Sequence, residues 1–227
     1  MPSELSTELA ALDRRFVLAT AEVGLPGGPV TLERPRSADN LISEADFVRD
    51  ERLPYWADLW PSSTALAGVV ATLDGRGRRA LELGCGLGLV TIAALRAGFD
   101  VLATDYYEDA LLFARRNARR ATGREPATRL VDWRELPREL GRFDLVLASD
   151  VLYERPYAAL VADAIVATLA PGGVALIADP GRVAVLAFLS ACETRGCAVS
   201  VRAKVPWADA SAKQTITIHE VRALPGE

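Results

Sequence analysis

A short apolar strand followed at once by closely spaced glycines is the feature that most restricts the fold of this chain. Residues 80–88 read Ala-Leu-Glu-Leu-Gly-Cys-Gly-Leu-Gly, and after an apolar helical pattern a second apolar run ends at Thr104-Asp105. A strand, a glycine turn, a helix and a second strand ending in a carboxylate form half of a nucleotide-binding α/β fold. A dinucleotide fingerprint would need glycine at position 89, where this chain has Leu89. The sequence therefore disfavours a nicotinamide-dependent dehydrogenase.

The acidic residues around this turn indicate a different ligand. Glu82 lies inside the first strand, and the glycines fall at Gly84, Gly86 and Gly88. This arrangement resembles motif I of the class I S-adenosylmethionine (SAM) methyltransferases, and the resemblance implies SAM as the cofactor. Two carboxylates, those of Glu82 and Asp105, suit a cationic ligand without phosphate, whereas a pyrophosphate would be repelled at the same place.

Each residue of the motif has an expected role. Gly84 and Gly86 would let the main chain approach the amino-acid end of the cofactor, and Gly88 would let the following helix pack tightly on the sheet. Glu82 could accept a hydrogen bond from the cofactor ammonium, directly or through water. Asp105 could accept from both ribose hydroxyls.

Size and charge limit the broad class. The 227 residues are half hydrophobic, which suits one domain or one domain with a short N-terminal addition. The net charge of −4 argues mildly against nucleic acid as the main partner. One candidate basic patch lies on a predicted helix, and a solvated helix face is the favoured explanation for its members: Arg115, Arg116, Arg119, Arg120 and Arg124.

The sequence lacks several features that particular locations and kinds of chemistry would require. No apolar stretch is long enough to span a bilayer, and the N-terminus lacks a signal-peptide pattern, so we expect no membrane partner and a cytoplasmic location. An odd number of cysteines, Cys85, Cys192 and Cys197, fits that compartment, although a Cys192–Cys197 disulfide is a less favoured alternative. His219 is the only histidine and lies in a predicted strand, so we expect neither a metal site nor a histidine base.

The pattern along the chain predicts a doubly wound α/β fold of the Rossmann-like methyltransferase type. Its sheet is mostly parallel and seven-stranded with an antiparallel C-terminal strand, because the last two apolar segments are joined by a connection too short for a parallel crossover. Residues 1–53 are predicted to add a helix and a β-hairpin to a main domain spanning 54–227, with Ser62 or Ser63 capping a helix that runs to about Leu73. Strands are expected near 79–83, 99–104, 127–131, 143–148, 173–178, 198–205 and 214–221, and helices near 3–15, 44–49, 89–97, 107–121, 156–169 and 182–195.

Residues that follow the strands are the candidate ligand contacts, because ligands of such sheets bind beyond the carboxyl ends of the strands. Tyr106 follows the second strand. Asp132 and Trp133 follow the third, where a carboxylate could accept from the adenine amino group and an indole could stack on the purine. Ser149 and Asp150 follow the fourth.

The segment from Ser149 to Tyr153 bears on the acceptor. Amino-methyltransferases of nucleic acids carry an acid or amide, two prolines and an aromatic residue here, and this chain lacks the prolines. Asp150 and Tyr153, with the upstream Trp60-Pro61, resemble the protein-lysine methyltransferases that are grouped with nicotinamide-methylase-like proteins. The segments 153–156 and 179–182 are similar to the lysine methyltransferases of the electron-transfer flavoprotein β subunit.

The resemblance implies a SAM-dependent N-methyltransferase acting on a protein lysine. A small amine or heterocycle as acceptor, and a SAM-binding module without catalysis, stay open as alternatives. We expect Asp150 to orient the amine, Tyr153 to close the pocket and Trp56 or Trp60 to offer an aromatic face. The expected cofactor contacts are Trp60, Glu82, Gly84, Cys85, Gly86, Gly88, Asp105, Tyr106, Asp132, Trp133 and Ser149.

Overall fold

The structure, a computed structural model, describes residues 12–37, 54–208 and 213–224. A helical turn at 12–15 leads into an antiparallel hairpin of β1 (Leu18–Val23) and β2 (Val30–Pro35). The predicted hairpin is confirmed. Of the predicted helix at 3–15 only the last turn lies in the described ranges, and the predicted helix at 44–49 lies outside them.

Seven strands form the main sheet, in the order β5-β4-β3-β6-β7-β9-β8. The first five along the chain run parallel, while β9 is antiparallel to both β7 and β8, as the short connection between the last two strands predicted. The strands are β3 (Arg79–Leu83), β4 (Asp100–Asp105), β5 (Ala127–Leu130), β6 (Phe143–Ser149), β7 (Leu169–Asp179), β8 (Cys197–Ala208) and β9 (Lys213–Ala223).

Helices cover both faces of this sheet, which is why its central strands are mostly apolar. Buried side chains divide into one large cluster on each face of the sheet. The described helices are α1 (Pro61–Val70), α2 (Leu89–Arg96), α3 (Glu108–Thr122), α4 (Tyr157–Thr168) and α5 (Val185–Thr194).

The strand order creates a crevice beside β3. The chain passes from β3 outward to β4 and β5, then returns to place β6 on the other side of β3. Connections therefore diverge at the carboxyl end of β3, the usual place for a ligand in a sheet of this kind. Leu83 pairs with Thr104 of β4 and with Ala148 of β6, so Gly84, Asp105 and Ser149 follow the three strands at the same level.

The start of α1 differs from the prediction. The helix begins at Pro61 with Trp60 as its N-cap residue, and no side chain caps it. The prediction that Ser62 or Ser63 caps this helix is wrong. Proline at the first helical position already has the helical φ angle and lacks an N–H that would need a partner. The Ser63 hydroxyl donates to the Trp60 carbonyl oxygen at 2.7 Å, and the buried Ser62 hydroxyl points elsewhere.

The N-terminal hairpin is anchored to α3. The Glu33 N–H donates to the Asn117 side-chain oxygen at 2.8 Å, and the Asn117 amide donates back to the Glu33 carbonyl at 2.9 Å. Arg116 pairs with both Glu33 and Asp13. The domain boundary at residues 53 and 54 stays a prediction, because residues 38–53 lie outside the described ranges.

The candidate basic patch on and after α3 is largely committed to contacts within the chain. Arg116 and Arg120 pair with Glu33, and Arg115 and Arg119 pair with Glu125. Arg124 donates to a backbone carbonyl oxygen. This pairing fits the expectation of an ordinary helix face.

Candidate active site

A cleft opens at the carboxyl ends of β3, β4 and β6, enclosing about 960 Å³ including the part open to solvent. Its walls come from the glycine turn after β3, the turns after β4, β5 and β6, the segment before α1, and α4. Eleven of the thirteen predicted site residues line it: Trp60, Gly84, Cys85, Gly86, Asp105, Tyr106, Asp132, Trp133, Ser149, Asp150 and Tyr153. Glu82 and Gly88 do not line it.

Backbone forms the floor of the cleft. Gly84, Gly86 and Gly88 have φ angles of +69°, +50° and +82°, a region that side-chain-bearing residues rarely adopt. A Cβ at Gly86 would lie 3.2 Å from the Trp56 carbonyl oxygen, and one at Gly84 would lie 3.2 Å from the Val151 side chain. The chain can pass this closely along the cleft only because side chains are missing here.

Gly88 has a role other than the predicted one. A Cβ there would lie 2.8 Å from the Ala114 Cα, which belongs to α3. Gly88 therefore allows the start of α2 to approach α3, and the prediction that it serves packing on the sheet is wrong. The reason is that the nearest atoms to a Cβ at Gly88 all belong to Ala114 of α3.

Asp105 is the carboxylate that both lines the cleft and organises it. Its Oδ2 accepts from the Gly86 N–H at 2.9 Å, and its Oδ1 accepts from the Tyr107 N–H at 3.1 Å. Burial raises the pKa of Asp105, while these backbone donors oppose the rise. The carboxylate thus ties the end of β4 to the glycine turn and keeps acceptor capacity toward the cleft.

Glu82 sits behind the cleft wall. Its side chain is 1% exposed, and it accepts a hydrogen bond from the Thr91 hydroxyl of α2. Burial raises the pKa of Glu82 to about 8, with the nearby Asp105 charge adding to the effect. In this structure Glu82 therefore joins β3 to α2, and contact with a cofactor ammonium stays a prediction.

An aromatic wall closes the cleft on the side of β5. Trp133 follows Asp132, and its indole packs edge-on to Tyr157 of α4 with ring centroids 5.7 Å apart. Asp132 accepts from the Arg134 N–H at 2.9 Å and pairs with the Arg134 guanidinium. An adenine contact would have to share the Asp132 carboxylate with Arg134.

Asp150 lies at the β6 side of the cleft, and two side chains donate hydrogen bonds to its carboxylate. It is 8% exposed, with its Oδ1 accepting from the Arg182 Nε at 2.6 Å and its Oδ2 accepting from the Ser62 hydroxyl at 2.9 Å. Among the described residues it is the one non-glycine residue with a positive φ, +57°. Such strain persists where surrounding contacts enforce it. Asp150 does not cap α4, whose N-cap residue is Pro156.

Aromatic side chains surround this side of the cleft. Tyr153 packs edge-on against Tyr55 and Tyr157, with centroid distances of 5.3 Å and 5.0 Å. The Arg182 guanidinium lies over the Trp60 ring at 5.4 Å. The Trp56 ring packs in the core cluster with Phe113.

Sequence reasoning missed three contributors to the site. Ser62 and Arg182 hold Asp150, and Tyr55 lines the cleft beside Tyr153. The resemblance of the tetrapeptide 179–182 to lysine methyltransferases assigns no role to its arginine. The pairing of Ser149 with Ala178 places Asp150 level with Asp179, a relation that only the sheet register reveals.

The remaining reactive side chains are buried. Cys85, Cys192 and Cys197 are free thiols, so the alternative of a Cys192–Cys197 disulfide is not what the structure has. Burial raises the pKa of the Cys85 thiol and lowers the pKa of His219 in β9. Within the described ranges, no cluster of three or more potential metal ligands occurs. No helix in those ranges is long and apolar enough to cross a bilayer.

Comparison with known proteins identifies the domain. Residues 81–175 match a family model described as a methyltransferase domain. The chain is 31% identical over 115 residues to the protein-lysine methyltransferase METTL21E of Mus musculus, an alignment that covers 45% of this chain and 47% of that protein. It is 35% identical over 138 residues to the electron transfer flavoprotein beta subunit lysine methyltransferase of Xenopus laevis, covering 57% and 53%.

Other relatives have different substrates in their names. A ubiquinone biosynthesis O-methyltransferase of Methylococcus capsulatus is 36% identical over 98 residues, covering 43% of this chain and 41% of that protein. The chain thus matches about half the length of these curated relatives. The solved magnesium protoporphyrin IX methyltransferase of Synechocystis with bound SAM has the same fold, with a TM-score of 0.58, 19% identity and coverage of 82% and 95%.

The cleft fits SAM, the cofactor of this class. A turn bare of side chains, a carboxylate at the end of the neighbouring strand and an aromatic wall provide close backbone approach, acceptors for hydroxyls and a stacking surface. The Asp105 carboxylate at the wall of the cleft disfavours a phosphate-bearing alternative. The motif, the sheet order and these matches support a class I SAM-dependent methyltransferase.

Proposed function

We propose that this chain transfers a methyl group from SAM to an amine nitrogen, and that the preferred acceptor is the ε-amine of a protein lysine. The observation that carries the proposal is the position of Asp150 and Tyr153 on the wall of the same cleft as the glycine turn and Asp105. A carboxylate flanked by aromatic rings suits an amine with an apolar stem. The lysine methyltransferases similar to this chain support the choice of acceptor.

The cofactor would supply an electrophilic methyl group on a sulfonium sulfur. The amine lone pair would form the new N–C bond, the electron pair of the S–C bond would stay with sulfur, and the amine nitrogen would lose a proton. Gly84, Gly86 and Asp105 would hold the cofactor, and Trp133 would bound its adenine. Because no charge has to be created, positioning dominates, and well-oriented reactants can gain roughly 7–11 kcal/mol in this way.

The acceptor needs help with its proton. A lysine amine with a pKa about three units above the medium costs about 4 kcal/mol to deprotonate at neutral pH. Tyr55, Trp60 and Tyr153 would lower that cost by partly desolvating the amine. We assign Asp150 the task of accepting a hydrogen bond from the amine, Tyr153 that of closing the pocket, and Trp60 that of presenting an aromatic face.

A small amine or heterocycle is the second candidate acceptor. It is favoured by the edge-on packing of Tyr153 between Tyr55 and Tyr157, which walls in the acceptor end. The cytoplasm is the proposed location, supported by three cysteines that are present as free thiols.

Labelling with a radioactive methyl donor separates these possibilities. The chain is incubated with methyl-tritiated SAM and either a protein extract or a protein-free metabolite extract. We expect label in protein, recovered after hydrolysis as ε-N-methyllysine. Label confined to metabolites would support the second candidate. SAM binding by calorimetry with no labelled product in either extract would contradict methyl transfer and favour a binding module.

A further inference from the structure

Arg182 joins Asp150 to Trp60. Its Nε donates to the Asp150 Oδ1 at 2.6 Å, while its guanidinium carbon Cζ lies over the Trp60 ring, 5.4 Å from the ring centroid. Both partners line the cleft, whereas Arg182 itself does not. One side chain outside the cleft therefore contacts the carboxylate and the indole that the proposed acceptor would meet inside it.

Arg182 is itself fixed by the turn after β7. The Asp179 Oδ1 accepts from the Gly181 N–H at 2.6 Å and from the Arg182 N–H at 2.7 Å. Gly181 has a φ of +97°, so this tight turn depends on glycine. Asp179 is 1% exposed, which makes the turn a rigid base for the arginine.

Asp150 needs such support because its backbone is strained. Its φ of +57° is uncommon for a residue with a side chain, and its N–H donates to the Ala178 carbonyl at 2.9 Å. Ser62 of α1 holds the second carboxylate oxygen. Contacts with β7, with α1 and with the Arg182 guanidinium together therefore restrain Asp150. These contacts fix the orientation of its carboxylate.

We propose that Arg182 is a positioning residue for the methyl acceptor, acting through Asp150 and Trp60 and making no contact with the cofactor. The inference rests on the proposed amine methylation. Lysine could not replace it, because one ammonium group cannot donate to the Asp150 carboxylate and lie over the indole at once, as the larger guanidinium does. A small shift of Asp150 would misplace the amine relative to the methyl group, an effect that can reach about 10²-fold in rate.

The test combines Arg182→Ala and Arg182→Lys with rescue by ethylguanidinium, because the Arg182 side chain is partly exposed and its removal opens a space to solvent. The probe is the protein extract with methyl-tritiated SAM, and S-adenosylhomocysteine binding is measured by calorimetry on each variant. Arg195→Ala is the matched control, since Arg195 forms a similar double contact with Asp163 at the other end of α5, away from the cleft.

We expect both Arg182 variants to label protein about 10²-fold more slowly, with S-adenosylhomocysteine affinity unchanged, and ethylguanidinium to restore the rate of Arg182→Ala alone. Arg195→Ala should label at the wild-type rate. Wild-type rates in the Arg182 variants, full activity in Arg182→Lys, absence of rescue, or loss of S-adenosylhomocysteine affinity would each overturn the inference. Failure of the wild-type chain to label any acceptor would instead overturn the proposed function, and the inference with it.

Discussion

The two ends of the cleft are built by different means. At the cofactor end, the site is formed by the glycine-turn backbone and one buried carboxylate from a short stretch of sequence, as the bond between Gly86 and Asp105 shows. At the acceptor end, Asp150 is held by Ser62, 88 residues earlier, and by Arg182, 32 residues later. A site made from local backbone is specified by its own segment, whereas a site made from distant side chains depends on the packing of the whole sheet.

The largest effect is expected on the free energy of unfolding, from a substitution that disturbs the close packing at the cofactor end. Gly88→Ala would place a methyl group 2.8 Å from the Ala114 Cα in a backbone conformation unfavourable for alanine. Strain and overpacking together should lower the free energy of unfolding by about 4 kcal/mol, measured by urea denaturation. Gly68→Ala in α1 is the control, since nothing lies within 4 Å of its added Cβ, and it should be neutral or stabilising. Equal costs for the two changes would contradict the account.

The next largest effect is the pH dependence that the buried carboxyl group of Glu82 gives to the free energy of unfolding. Its folded-state pKa of about 8 lies above its usual value of 4.5, so the folded chain holds a proton that the unfolded chain releases between these values. This contribution is complete below about pH 4.5 and is lost as the pH rises through 8. Between pH 5 and 7 the free energy of unfolding should fall by about 3 kcal/mol from this group.

Glu82→Gln isolates that contribution. The difference between variant and wild type removes the parts due to Asp179 and His219, whose pKa values also shift on burial. The variant should lack the decline, measured by urea denaturation at each pH, while the control Glu154→Gln on an exposed loop position should keep it. A wild-type slope in Glu82→Gln would show that this carboxyl titrates normally.

A substitution at the acceptor end should lower the activity and leave the cofactor affinity unchanged. Asp150→Asn removes the negative charge that pairs with Arg182 and that would hold the acceptor amine. We expect the labelling of protein extract to slow by about 10²-fold, about 2.7 kcal/mol, with S-adenosylhomocysteine affinity unchanged. Asp163→Asn, which disturbs the surface pair with Arg195, is the control. Weakened cofactor binding in Asp150→Asn would break the distinction between the two ends.

The same contrast explains what the sequence could predict. The glycine turn, Asp105 and the parallel sheet follow from local patterns and from the lengths of connections, and the structure confirms the sheet and the hairpin. The partners of Asp150 could not be predicted, because they depend on the register that sets Ser149 beside Ala178. The predicted roles of Gly88 in sheet packing and of Ser62 in capping were wrong for a related reason: both residues contact elements distant in the sequence.

The central claim is that the glycine turn and Asp105 together bind SAM. Calorimetric titration of the chain with SAM should give saturable heat at one site, and Asp105→Asn should weaken the affinity at least about tenfold, because a charged hydrogen-bond acceptor is lost. Asp109→Asn, four residues along and paired with Arg15, should bind as the wild type does. Absence of heat with the wild-type chain, or equal affinity in Asp105→Asn, would contradict the account.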